Sequence, residues 1–216
     1  QLRIGTTNTL NATVMADLYR AILRDPSLNL SLSISTHYSY EIYELLENHT
    51  LDLGFVYHYL HFKNILSRPI LREKMYLVQE GTAAVRREKL RSTELDFRSE
   101  VYFVWESNYQ IWHEQNVAQG RFPRVEVDSC ELLGALLQEP GRWAICPRSV
   151  MEYLRAQGGI WVSELADEVQ PPDRITYVIR NKDTNESKTA SMDLFEAQIQ
   201  AFFEARGWVG ADDTEQ

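Results

Sequence analysis

Thr6, Thr7 and Asn8 stand between the apolar stretch Leu2 to Ile4 and a run in which Leu10, Val14, Leu18 and Ile22 recur every four residues. Hydroxyl and amide side chains at such a junction suit the first turn of a helix, whose leading N–H groups have no partner inside the helix. The positive end of the helix dipole makes the same N–H groups a place for a carboxylate or phosphate. Capping alone also accounts for these residue types, so the turn taken by itself leaves both readings open. The arrangement recurs along the chain. Thr36, His37 and Ser39 follow the alternating "LNLSLSIS", Glu106, Ser107 and Asn108 follow "VYFVW", and Asp128 and Ser129 follow "VEV". His37 adds a ring able to hydrogen-bond a ligand or to lend pH sensitivity.

Other reactive side chains carry less. His58 and His61 form an H-x-x-H, but two neutral imidazoles with no added carboxylate or thiolate make a weak metal site, and the segment reads as a strand end entering a loop. They read as surface or rim histidines, and neither a metal nor a cofactor is expected. Cys130 and Cys146 read as reduced, buried thiols, with a redox pair as the alternative. The chain has no G-x-S-x-G elbow, no P-loop, no G-x-G-x-x-G and no carboxylate pair at a spacing that suggests acid–base work. No catalytic residue is assigned, and an enzyme is not expected.

Bulk properties narrow the class. The 216 residues, 44% apolar and 25% charged, suffice for one large globular domain or two small ones. A net charge of −9 opposes direct grip on nucleic acid, which depends on Lys and Arg neutralising phosphates. Two cysteines make no disulfide framework, and no long uncharged apolar window spans a bilayer, so a cytoplasmic protein without a membrane partner is expected.

The elements that must position the polar turns follow from periodicity. Strand, helix, strand, helix, strand over Leu2 to about Tyr59 predicts a parallel sheet, with Gly5 permitting the first turn and Thr36 and Ser39 capping the second helix. Polar strand-to-helix turns then share one end of the sheet, where ligands gather in open α/β sheets. Two extended stretches about Pro69 and a charged segment from Gly81 to Arg98 come next. The pattern restarts with a strand at Val101 to Trp105 and a helix bearing Ile111, Trp112 and Val117. Another strand and helix, a strand at Trp143 to Cys146, the strand "ITYVIRNKD" and a helix with Leu194, Phe195, Ile199, Phe202 and Phe203 on its apolar face complete the chain, with "GADDTEQ" as a frayed tail. The restart predicts a second α/β lobe, residues 78–177, inserted into a first made of 1–77 and 178–216, with crossings near 76–80 and 174–179.

The segments "LRIGTTNTL", "IYELLENHTLDLGFV", "LLGALLQEPGRWAICPRSV" and "ITYVIRNKD", in this order and spacing, resemble the effector-binding domain of LysR-type transcriptional regulators over essentially the whole chain. The resemblance implies an α/β fold of the type 2 periplasmic-binding-protein kind. Two Rossmann-like lobes are joined by two crossover strands, with a small-molecule effector in the cleft between them. Carried onto this sequence, the effector positions are Thr6, Thr7 and Asn8; Thr36 and His37; Tyr57; Trp105, Glu106, Ser107 and Asn108; with Asp128, Ser129, Cys146 and Pro147 at the rim. Trp105 is expected as a cleft wall.

The resemblance further implies a homodimer through sensor domains, with helices such as Leu10 to Ile22 in the contact, a tetramer in the full-length regulator, and DNA contact only through a winged helix-turn-helix and linker helix outside this sequence. Three departures from the family pattern follow. Asn48 replaces a glycine common in the family, consistent with asparagine's tolerance of left-handed backbone. Peroxide-sensing members carry a reactive cysteine where this chain has "SNYQIW", which argues against thiol sensing by that route. Glu106 would repel an anionic effector unless a cation or a protonated His37 offsets it. A transporter's solute-binding protein of the same fold is the alternative function, and an enzyme that has adopted the cleft a third.

Overall fold

The computed structural model describes residues 1–208, so the predicted frayed tail lies outside the described residues. The chain divides into two compact units, residues 1–72 with those from 175 on, and residues 73–174.

The strands of the first unit are β1 (Leu2–Thr6), β2 (Leu32–Thr36), β3 (Leu53–Val56), β4 (Ile65–Glu73) and β11 (Arg174–Asn181). They form one five-stranded sheet in the order β2-β1-β3-β11-β4. β1 runs parallel to β2 and β3, as the strand–helix alternation requires, and β11 returns antiparallel to β3. Successive side chains of a strand point to opposite faces, and the core follows that period: Phe55 and Val178 join one apolar cluster, their neighbours Val56 and Ile179 the other. The first cluster is covered by the helical run after β1 and by α7 (Glu186–Ala205), the second by α3 (Ser39–Glu47).

The run after β1 comprises α1 (Asn8–Leu10), a π-helical stretch Asn11–Met15 and α2 (Ala16–Arg24), and the four-residue spacing seats Leu10, Val14, Leu18 and Ile22 in the core. Asp52 ties this unit together. Burial acts to raise its carboxyl, but hydrogen bonds from Arg3 and Lys188 outweigh that and hold it down at about 2.

The second unit contains β5 (Met75–Glu80), β6 (Lys89–Leu90), β7 (Val101–Phe103), β8 (Val125–Val127), β9 (Trp143–Pro147) and β10 (Ile160–Leu165). Four of them form a sheet in the order β6-β10-β5-β9, and β7 and β8 form a separate parallel pair. The helices are α4 (Ser107–His113), which continues as a π-helical stretch Glu114–Ala118, α5 (Cys130–Leu136) and α6 (Arg148–Gln157). Inside this unit His113 Nε2 pairs with both Glu100 oxygens, at 2.8 and 3.0 Å, among the rings of Phe97, Tyr102 and Tyr109.

Several local expectations are corrected. The extended stretches break at Lys74, and β4 runs through Pro69. Ile111 faces outward, and Leu194 lies at the edge of its helix's apolar face. β10 and α6 form although no strong period in the sequence announces them. Asn48 has an ordinary negative φ, and the left-handed residue is the next one, His49 at φ 54°. Thr36 ends β2 instead of capping α3, and Ser39 lies within α3. Glu41 reaches back to accept the Tyr38 N–H at 3.1 Å.

Gly5 is not a turn residue. It lies within β1, opposite Gly54 of β3. A Cβ on Gly5 would meet Leu51 Cδ1 at 2.3 Å, and one on Gly54 would meet Ile42 Cγ2 at 2.5 Å and Ile179 Cγ1 at 2.7 Å. The paired glycines thus let α3 lie close on the sheet. Gly54→Ala is expected to cost about 1–3 kcal/mol through overpacking, seen as a lower urea midpoint at unchanged slope.

Candidate functional site

In the first unit the turns after β1 and β2 are stitched side by side. Thr6 pairs with Thr36 in register, the His37 N–H donates to the Thr6 carbonyl at 3.0 Å, and Asn11 Nδ2 donates to Thr36 Oγ1 at 3.0 Å. Thr7 is the cap, its Oγ1 accepting the Leu10 N–H at 3.4 Å. Asn8 and Thr36 are exposed, Thr7 and His37 half-buried, and Thr6 and Tyr57 buried. His37 Nε2 lies 2.8 Å from Ser35 Oγ, and Nδ1 lies 3.8 Å from Glu41. No Lys, Arg, Asp or Glu occurs at 6–8 or 35–37, so the turn residues themselves offer hydroxyls, amides and a helix start, with the Glu41 carboxylate beside His37.

The second unit is organised around a buried cation. Arg174, the first residue of β11, is only 5% exposed. Its Nε donates to Glu106 Oε1 at 3.0 Å, and its guanidinium lies over the Trp105 ring, 4.4 Å from the centroid. The cation that offsets Glu106 is therefore Arg174, not His37. Trp105 is packed inward: it stacks on Phe103 at 3.7 Å, and its indole N–H donates to the Ile145 carbonyl at 2.9 Å. It supports the turn from beneath and is not an exposed wall. Ser107 and Asn108, next in the turn, are exposed at the start of α4. Ser129 caps α5 by accepting the Leu132 N–H at 3.2 Å, and Asp128 beside it is exposed.

Cys146 and Pro147 do not form a rim. Both are buried at the end of β9, because all five positions of that strand face protein. The helix start that follows is already occupied: the Ser149 N–H donates at 2.7 Å to Oε1 of Glu73, a buried carboxylate from the end of β4. Burial is the chief influence on Glu73 and raises its carboxyl above the usual range. The Ser149 hydrogen bond and the nearby Arg174 charge act against that rise, and Glu106 adds to it. The Cys146 thiol is likewise pushed well up, by burial first.

The LysR substrate binding domain family model matches residues 1–202. The chain belongs to the LysR substrate-binding domain family. No curated protein sequence matches the chain significantly. Among solved structures, the reduced regulatory domain of OxyR2 from Vibrio vulnificus superposes with a TM-score of 0.75 at 13% identity, covering 93% of this chain and 94% of that one. The reduced OxyR regulatory domain from Pseudomonas aeruginosa gives 0.75 at 16%, with 93% and 97% covered. A full-length BenM variant gives 0.70 at 13%, with 98% and 70% covered. At these identities the likeness establishes the type 2 periplasmic-binding-protein-like fold.

Within this LysR substrate-binding domain the predicted positions therefore fall into two groups. Thr6, Thr7, Asn8, Thr36 and His37 come together at the strand ends of one unit. Glu106, Ser107 and Asn108 share a turn of the other, which Trp105 supports from inside. Glu73 and Arg174 belong to the second group and escape sequence reasoning. The only signal for them in the sequence is a charge at the end of an apolar run, in "PILREKMY" and "PPDRITYVI". Among the described residues, no group of three His, Cys, Asp or Glu side chains is placed to hold a metal ion, and no helix is long and apolar enough to cross a membrane.

Because Glu73 holds its proton more tightly folded than unfolded, its contribution is full below the unfolded value. It is lost as pH rises through about 4.3 towards the raised folded value. Urea denaturation from pH 4 to 7 should show this fall in the wild type and its loss in Glu73→Gln. Parallel pH profiles for the two would refute it.

Proposed function

We infer that this LysR substrate-binding domain is the sensor of a transcriptional regulator, taking a small anionic or polar effector at its strand-end turns. The family match over residues 1–202 carries the reading. The location of the exposed polar turns supports it, since residues 6–8 and 36–37 in one unit and 106–108 and 128–129 in the other all follow the carboxyl ends of strands. Ligand occupancy shifts the population of two conformations, and DNA answers through an N-terminal segment outside this chain. Pairing of sensor domains, tetramers in the full regulator, a cytoplasmic location and a binding role without catalysis belong to the same reading.

A thermal-shift panel of organic acids, amino acids and neutral metabolites tests it. An effector at a hundred times its Kd should stabilise the protein by about 2.7 kcal/mol, a shift of several degrees. Thr36→Ala and Asn108→Ala, both at exposed positions, should stay folded and lose most of that shift. Full retention of the response by both variants would remove these turns from the effector site.

A further inference from the structure

Thr176, near the start of β11, is 1% exposed, and its Oγ1 is buried without a hydrogen-bond partner among the described residues. A threonine hydroxyl carries one proton and two lone pairs, and burying it with no hydrogen bond is costly. Strand register shows what lies around it, all within the first unit. β11 runs antiparallel to β3, with Val178 opposite Phe55 and Tyr177 opposite Val56, while β1 runs parallel to β3, with Thr6 opposite Phe55. The start of β11 therefore lies at the carboxyl ends of β1 and β3. Ile4, Phe55, Tyr57 and Val178 belong to one apolar cluster, and the alternation of side chains puts Thr6 and Thr176 on that same face. The next step of the β3–β11 ladder brings Thr176 beside Tyr57. Thr6 is fully buried too, and its hydroxyl makes a long contact of 3.5 Å to the Thr7 carbonyl. One sheet end thus gathers the hydroxyl-bearing residues Thr6, Tyr57 and Thr176 directly behind the turn at Thr6 to Asn8.

We propose that Thr176 is a specificity-determining residue of the effector site, donating its hydroxyl proton to an acceptor oxygen of the bound effector, a carboxylate or a carbonyl. The proposal rests on the effector-binding reading of the turns after β1 and β2, and it names the group that the sheet end behind them selects. Of the two halves of a buried hydroxyl, the proton is the harder to leave unmet, because an oxygen tolerates an empty lone pair better than a donor tolerates having no acceptor. What Thr176 lacks is therefore an acceptor. Its place at the carboxyl ends of parallel strands is where ligands gather in open α/β sheets, so a group of the effector that passes the turn at Thr6 to Asn8 meets this hydroxyl next. Thr176 is buried, so contact requires that sheet end to open, and recognition of the oxygen and a change of conformation become one event.

Thr176→Val keeps the branched shape, deletes the hydroxyl and separates the two roles this group could have. A hydroxyl that waits for a ligand contributes no hydrogen bond to the empty protein. The urea midpoint of the ligand-free valine variant should then equal or exceed that of the wild type, at unchanged slope. A hydroxyl held by an internal water or a protein group would leave that partner unmatched in the variant. A lowered midpoint, or a variant that does not fold, therefore overturns the proposal and makes Thr176 a structural residue.

The second arm repeats the thermal-shift panel with the primary amide and the amine matched to each acid, succinate, succinamide and 1,4-diaminobutane forming one such set. Stabilisation is expected from acids or amides and not from the amines, and the acid and amide arms tell a carboxylate from a carbonyl. The apparent affinity of a stabilising compound should fall by about tenfold in Thr176→Val and return in Thr176→Ser. A shift that survives Thr176→Val in full, or one given by the amines, overturns the role of Thr176 and leaves the effector reading standing. A wild type that answers to no compound removes the effector reading and this proposal with it.

Discussion

A guanidinium withdrawn from water must be matched at short range, and that requirement organises the second unit. Arg174 cannot shed its proton, so its burial is tolerated only with a carboxylate in hydrogen-bond contact and a polarisable surface beneath it. Glu106 supplies the first at 3.0 Å and the Trp105 ring the second at 4.4 Å. Trp105 is fixed in turn by its stack on Phe103 and its bond to the Ile145 carbonyl. The positions of the turn after β7, the end of β9 and the start of β11 are thereby coupled through one side chain. Such a pair adds little net stability over well-packed apolar groups, but its geometry is demanding, and geometry is what a binding turn needs.

The first unit positions its turns without a buried ion pair beneath them. Its turns carry threonine, asparagine and a histidine, and their positions follow from backbone register: Thr6 opposite Thr36, with the His37 N–H on the Thr6 carbonyl. Close approach of α3 to the sheet is made possible by two glycines facing each other across β1 and β3. Precision here comes from packing at near-contact distances, which cores enforce strongly. One unit therefore presents neutral donors and acceptors on a rigid sheet edge, and the other a turn whose charge is already matched.

How much of this can be read from the chain depends on the range over which each feature is encoded. The parallel strands β1, β2 and β3 are legible because Leu10, Val14, Leu18 and Ile22 keep a helical period between runs of apolar or alternating residues. The caps at Thr7 and Ser129 are legible for the same local reason. Gly5 reads as a turn residue in the sequence, yet its need is tertiary: the clash lies with Leu51, far along the chain. Position after a strand points Trp105, Cys146 and Pro147 towards a surface, but burial depends on what packs over a strand end, and no local pattern reports that. Arg174 and Glu106 stand far apart in the chain and meet only when the unit folds, so their pairing has no signature in spacing.

Fold likeness also has to be separated from chemistry. The OxyR2 neighbour is a reduced form, yet no described residue of the present chain reproduces a thiol poised for reaction. Cys146 sits inside β9 with its thiol held well above the usual range by burial, with Cys130 and Glu73 adding to the rise and only Arg174 opposing it. A reactive cysteine needs the reverse, a partly exposed sulfur in a positive field. Cys130, though it opens α5, is fully buried. The same buried arginine that could have activated a thiol is instead held by the Glu106 carboxylate.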